Sequence, residues 1–177
     1  MRQFEQGLIA LLFGVITSIV WAGVVTADIE TMQRSLIGLR GVGVVVEEVR
    51  PYLTDHNLAS ATIETTVTLR LRQEGIRVLS DDEMLADEHH SYLYVRLSCA
   101  CEGTDLAVPV ALDVQLWQEV QLIGKLSRPV SGCTWYAASR VGYYGLNKLD
   151  DGARGMLRDE LDEFVNAWLA THPKPAR

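Results

Sequence analysis

The adjacent histidines His89-His90 are the obvious metal candidate in the chain, because neutral imidazole is the commonest protein ligand for metals. Neighbouring residues of an extended chain point to opposite faces, so such a pair rarely grips one ion by itself. His56 and His172 fall in other loops, and neither H-E-x-x-H nor a paired C-x-x-C occurs. A polar loop accounts for the pair, and no metal site is expected. Cys99-Ala100-Cys101 lacks the redox C-x-x-C spacing, and on a strand both thiols enter the core as small hydrophobes. A nucleophilic thiolate needs a base and an electropositive setting, and the neighbouring residues offer neither. There is no G-x-S-x-G elbow. Val141-Gly142-Tyr143-Tyr144-Gly145 lacks the Lys-Ser/Thr ending of a phosphate cradle and reads as an ordinary loop. The acid pairs Asp150-Asp151, Asp159-Glu160 and Asp162-Glu163 alternate with Arg154 and Arg158. Arg158 and Asp162 stand at i, i+4, so the whole set reads as a solvated, ion-paired helix face. Catalytic, cofactor-binding and metal-ligating residues are therefore all expected to be absent, and the chain is not expected to be an enzyme.

One group of side chains remains. Residues 92–101 alternate, with Leu93, Val95, Leu97, Cys99 and Cys101 on one face and Tyr92, Tyr94, Arg96 and Ser98 on the other. Residues 106–119 alternate in the same way, turning Asp113, Gln115, Trp117 and Glu119 outward. Aromatics and arginine set among polar residues are what interfaces favour. Tyr92, Tyr94, Arg96 and Trp117 are accordingly the candidate interaction surface. Cross-strand aromatic pairing on an ordinary solvated sheet would give the same pattern.

The elements that must position this surface begin at Gly41. An apolar run over 42–46, expected to be a strand covered on both faces, is followed by the Arg50-Pro51 turn and a helix near 60–74. Ile63, Val67 and Leu71 share one face of that helix, and Gly75 is a suitable residue to end it. Ile76 to Leu79 then reads as a second strand, making a right-handed β-α-β unit. Ser80-Asp81-Asp82-Glu83 is a capping box opening a short helix to about Asp87. Pairing Cys101 with Leu106 in the hairpin also pairs Cys99 with Val108, Leu97 with Val110, Val95 with Leu112 and Leu93 with Val114. Every core pair is then apolar. Pro109, which lacks an N–H, favours a four-residue turn from Glu102 to Asp105. A third strand is expected over 130–139, with Cys133, Trp135 and Ala137 inward, followed by a long amphipathic helix from about Leu146 to Leu169. Gly152 and Gly155 in that helix would permit close packing on the sheet. In this geometry Cys99 and Cys133 are about 40 Å apart along the sheet, so all three cysteines are expected to be unpaired.

The fold class that follows is α+β. It is a two-layer domain whose mixed sheet joins a β-α-β unit to a three-stranded antiparallel meander, with two main helices on one face and a hydrophobic helix ahead of it. The boundaries are 1–27 for a signal peptide or membrane anchor, 28–40 for a linker, 41–172 for the domain and 173–177 for a mobile tail.

Residues 7–26 carry no charge and are long enough to span a bilayer, while Val25-Thr26-Ala27 resembles a signal-peptidase site. Cleavage before Asp28 and retention as an anchor both place the domain outside the cytoplasmic membrane, periplasmic or secreted, with a membrane contact only if the segment stays. The formal net charge is −7, and losing residues 1–27 removes one charge of each sign, Arg2 and Glu5. An acidic domain lacks the basic footprint of a nucleic-acid binder.

The sequence pattern LRGVGVVVEEV, TVTLRLRQEGIRVLS, SYLYVRL, the strand from Leu112 to Val120, TW and LDEFVNAWLATHPK resembles a group of small exported bacterial proteins of unassigned function, over about residues 39–174. The layout is more distantly similar to the amino-terminal domain of TolB and to CsgG-like envelope proteins. Those resemblances imply a periplasmic or envelope-assembly role. His56-Asn57 departs from the group, which tends to have a glycine before Leu58. The expected function is a non-enzymatic exported domain that binds another protein or itself. The alternative is a small-ligand or lipid-binding domain with a pocket between sheet and helices, near Leu161, Phe164 and Trp168.

Overall fold

The structure, a computed structural model, describes residues 30–100, 107–124 and 128–173. The hydrophobic run 7–26, Cys101, the turn from Glu102 to Asp105 and the tail beyond Pro173 lie outside the described residues. No helix among the described residues is long and apolar enough to cross a membrane.

The chain is an α+β domain built on a five-stranded mixed sheet. Strands β1 (Gly43–Val46), β2 (Tyr92–Cys99), β3 (Val108–Gln121), β4 (Pro129–Tyr136) and β5 (Arg140–Tyr144) are joined by helices α1 (Pro51–Thr54), α2 (Ser60–Gln73), α3 (Asp81–Ala86) and α4 (Leu149–Thr171). β1 pairs parallel with β2, and every other pairing between these five strands is antiparallel. Helices α2 and α4 cover the inner face. Ile63, Val67 and Leu71 of α2, Leu157, Leu161 and Phe164 of α4, and the inward residues of β2 and β3 form one core.

The local signals in the helices act as their chemistry dictates. Gly75 sits at φ +80, its N–H bonds the Arg72 carbonyl at 3.0 Å, and the Ile76 N–H bonds Leu71 at 2.9 Å. Those two bonds are a complete Schellman motif, and Ile76 is buried beside it. Both halves of the Ser80–Glu83 capping box are made at the start of α3. Asn57 takes a left-handed φ of 61 in the turn after α1. Asparagine is one of the few residues other than glycine that tolerates this conformation.

Several expectations need correction. The strand at Ile76 to Leu79 is reduced to a single parallel bridge, Val42 to Val78, and the full parallel partner of β1 is β2. β1 is not covered on both faces, since Val45 is exposed on the outer one. Residues 28–40 do more than connect: Leu36 and Leu39 are buried in the core. The β2–β3 register is displaced by two residues, so that Leu93 meets Leu116, Val95 meets Val114, Leu97 meets Leu112 and Cys99 meets Val110. A shift of two keeps every side chain on its own face, so apolar alternation alone does not distinguish the two registers. The observed one sets Tyr92 opposite Trp117 and brings buried Gln118 to within 3.5 Å of the buried Ser91 hydroxyl. Pro109 stays at the end of the ladder, where its carbonyl accepts from the Ala100 N–H at 3.4 Å.

The last correction concerns β4 and β5. Both pair antiparallel with β3, β4 along residues 115–121 and β5 along 108–112, so they lie end to end on one edge. They amount to one long strand interrupted twice. The first break is a bulge that places Cys133 opposite Trp117 and Trp135 opposite Leu116, with Thr134 extra. The second falls at residues 137–139, between the two elements. Cys133 therefore turns to the outer face and is exposed, while Trp135 and Ala137 stay buried as expected. The Val141 to Gly145 loop is in fact largely strand β5. Seven residues of β3 separate the partners of Cys99 and Cys133, about 23 Å rather than 40 Å. The two thiols are unpaired and on opposite faces.

Candidate functional site on the outer sheet face

The β2–β3 register gathers the four candidate residues. Tyr92 lies directly opposite Trp117, Tyr94 opposite Gln115 and Arg96 opposite Asp113. Tyr92, Tyr94, Arg96, Gln115 and Trp117 together line one open depression of about 270 Å³. A strand places alternate side chains on one face, and β3 is long enough to carry this face from Asp113 to Glu119.

Trp117, Tyr94, Arg96 and Asp113 are each held by a neighbour. The Trp117 indole Nε1 donates to Gln115 Oε1 at 2.9 Å. The Tyr94 hydroxyl donates to the Glu47 carboxylate just beyond β1, which raises the Tyr94 pKa, with burial adding to it. Arg96 donates through Nε at 3.0 Å and Nη2 at 2.6 Å to Asp113 Oδ2, while the Ser139 hydroxyl donates to Oδ1 at 2.7 Å. Burial pushes the Asp113 carboxyl up, but the Ser139 and Arg96 hydrogen bonds outweigh it and hold the pKa below the ordinary value. What the face offers outward is ring surface and guanidinium edge, fixed in place by these bonds.

Residues not foreseen as part of this surface also reach it. Tyr136 opposes Gln115 from β4 and is exposed, and Cys133 opposes Trp117 because of the bulge. Although Cys133 is exposed as a residue, its sulfur lies 3.4 Å from the Trp135 carbonyl oxygen, and burial of the thiol raises its pKa.

The other groups weighed in the sequence are dispersed. His90 bonds Glu119 Oε2 through Nδ1 at 2.8 Å and the Leu85 carbonyl through Nε2 at 2.9 Å. His172 stacks on Trp168 with centroids 4.1 Å apart, and His56 meets Tyr52 edge-on. No group of three or more metal-ligating side chains converges among the described residues. Asp162 pairs with Arg70 of α2 at 2.7 Å rather than with Arg158. Glu160, read as part of a solvated face, is fully buried. Its spacing signalled this, because it lies four residues after Met156 and four before Phe164, on the apolar side of α4.

No protein-family model matches the chain, and no curated protein is significantly similar to it.

Proposed function

We propose that the chain is an exported envelope domain that binds another protein through the outer face of its sheet. The observation that carries this reading is the depression formed by Tyr92, Tyr94, Arg96, Gln115 and Trp117 on the solvent side of β2 and β3. Aromatic rings and an arginine held rigid before contact lose little side-chain entropy on binding, which is the property of binding anchors. Polar groups that already satisfy one another suit a surface for docking better than one for moving protons. The uncharged run 7–26 is the basis for placing this face outside the cytoplasmic membrane, whether or not the run is removed.

The small-ligand alternative has less support. Leu161, Phe164 and Trp168, which would line its pocket, are buried at 1%, 0% and 6% exposure. The hollow between sheet and helices, near Leu58, Ile63, Leu97 and Leu112, holds about 10 Å³, room for at most one water.

A photo-crosslinking side chain at Tyr94, compared with one at exposed Leu69 on α2, tests the proposal in intact cells. A discrete crosslinked protein from position 94, absent from position 69 and weakened by Trp117→Ala, is the expected result. Equal crosslinking from both positions, or none from 94, would remove the outer face as an interface.

A further inference from the structure

Glu160 is an acid in a place that should not hold one. It has no exposed surface, and neither carboxyl oxygen is reached by a donor in full hydrogen-bond geometry, the Val114 backbone N–H being the one that approaches. The groups that act on it come from three elements. β3 contributes Asp113 and the Val114 N–H, β5 contributes Arg140, and α4 contributes Glu163 and neighbouring Asp159. Arg140 is the one cation among them, and it is already engaged by Glu163 at 2.6 Å and Asp159 at 4.0 Å, with its Nε buried and unpartnered. Two carboxylates thus share one guanidinium before Glu160 is counted. An ionised carboxyl there would lack both water and a counter-charge, whereas the protonated acid is neutral and costs far less to bury.

The position matters as much as the charge. Glu163, one helical turn from Glu160, accepts from the Ala138 N–H at 3.2 Å and from Arg140. That turn of α4 therefore clamps the break where β4 passes into β5. The same break supplies Ser139, whose hydroxyl bonds Asp113 on the outer face.

We propose that Glu160 is a proton-operated latch that seats α4 on the β4–β5 corner when protonated and releases it on ionisation. Release lets the carboxylate reach water, and it loosens residues 137–140 together with the helical turn. The direction follows from linkage. Burial, with Asp113 and Glu163 adding to it, pushes the Glu160 pKa up to about 8 from 4.5, against the opposing pull of Arg140 and Val114. The closed state therefore binds a proton that the open state gives up between those two values. Closure is strongest below about pH 4.5, weakens as pH rises to about 8, and changes no further above it.

Hydrogen exchange of residues 137–140 and 156–165 in the full-length chain, corrected for intrinsic rates, reads the latch directly. Opening is expected to increase about tenfold per pH unit between roughly pH 5.5 and 7.5 and to level off above about 8. Glu160→Gln keeps the shape without the proton and should abolish that slope. Glu160→Met serves as a second non-titrating variant should the amide prevent folding. A wild-type chain with no slope would overturn the proposal, and so would a slope that persists in a folded variant. These readouts do not depend on any partner, so they stand apart from the docking role of the outer face.

Discussion

At the scale of single residues, a side chain's type was legible but its partner was not. His90 shows why. The sequence places it in a polar loop without showing what it meets there, and in the fold its two ring nitrogens face a carboxylate and a carbonyl oxygen, those of Glu119 and Leu85. Two acceptors call for two N–H donors, which only the imidazolium supplies. The Glu119 hydrogen bond, followed by that to Leu85, raises the His90 pKa above 6.5. The stabilisation from the charged pair is present in full below about pH 6.5 and is lost as pH rises through the raised folded value. Titration of the His90 ring by NMR should give a pKa above 6.5, and Glu119→Gln should bring it down. A wild-type value at or below 6.5 would show that the ring is not held as the cation. Glu160 is the converse case, since its spacing pointed inward while its charge argued outward. Charge settled the reading at that residue, and burial settles it in the fold.

The elements were legible where one periodicity runs unbroken. α2 and α4 keep theirs, and so do β2 and β3, which is why the faces were recovered even with the register displaced by two. β4 and β5 were misread because a bulge resets the alternation of the strand that carries it. The reset at Thr134 sent Cys133 outward, and the one at residues 137–139 made Arg140 to Tyr144 look like a loop. Gly142 deepened that impression, although its role is spatial. The Tyr144 ring packs where side chains on Gly142 and Gly152 would stand, with a Cβ at Gly152 coming within 2.3 Å of it. Gly155, one turn further along α4, has nothing within 4 Å of the same position. The two glycines should therefore respond oppositely to alanine. Gly155→Ala gains helix propensity and should stabilise by about 0.5–1 kcal/mol. Gly152→Ala forces Tyr144 aside and should cost about 1–3 kcal/mol despite the same gain. Thermal or urea unfolding of both variants measures this, with Tyr144→Ala expected to rescue Gly152→Ala. Equal effects at the two sites would mean that the Tyr144 slot does not constrain the helix.

For the whole molecule, fold class could be read from the order of elements, because alternating strands and two amphipathic helices admit few packings. The neighbour of β1 could not, since parallel partners are chosen by tertiary fit rather than by a short turn. That choice governs the route by which the chain folds. The β2–β3 and β3–β4 ladders grow from local connections, their nearest pairs being Cys99–Val110 and Gln121–Pro129. Gly43 and Tyr92 instead meet across roughly fifty residues, including all of α2 and α3. The loop-closure entropy of that meeting falls due before its hydrogen bonds form, so β1 should be the last strand to join. In pulse-labelled hydrogen exchange during refolding, β2 and β3 amides bonded to each other should be protected before the Val45 amide. Simultaneous protection would exclude the order. Glu47 arrives with β1, so the Tyr94–Glu47 contact would complete the outer face only at the final step of folding. A newly made chain would then present its outer sheet face unfinished until the fold is closed.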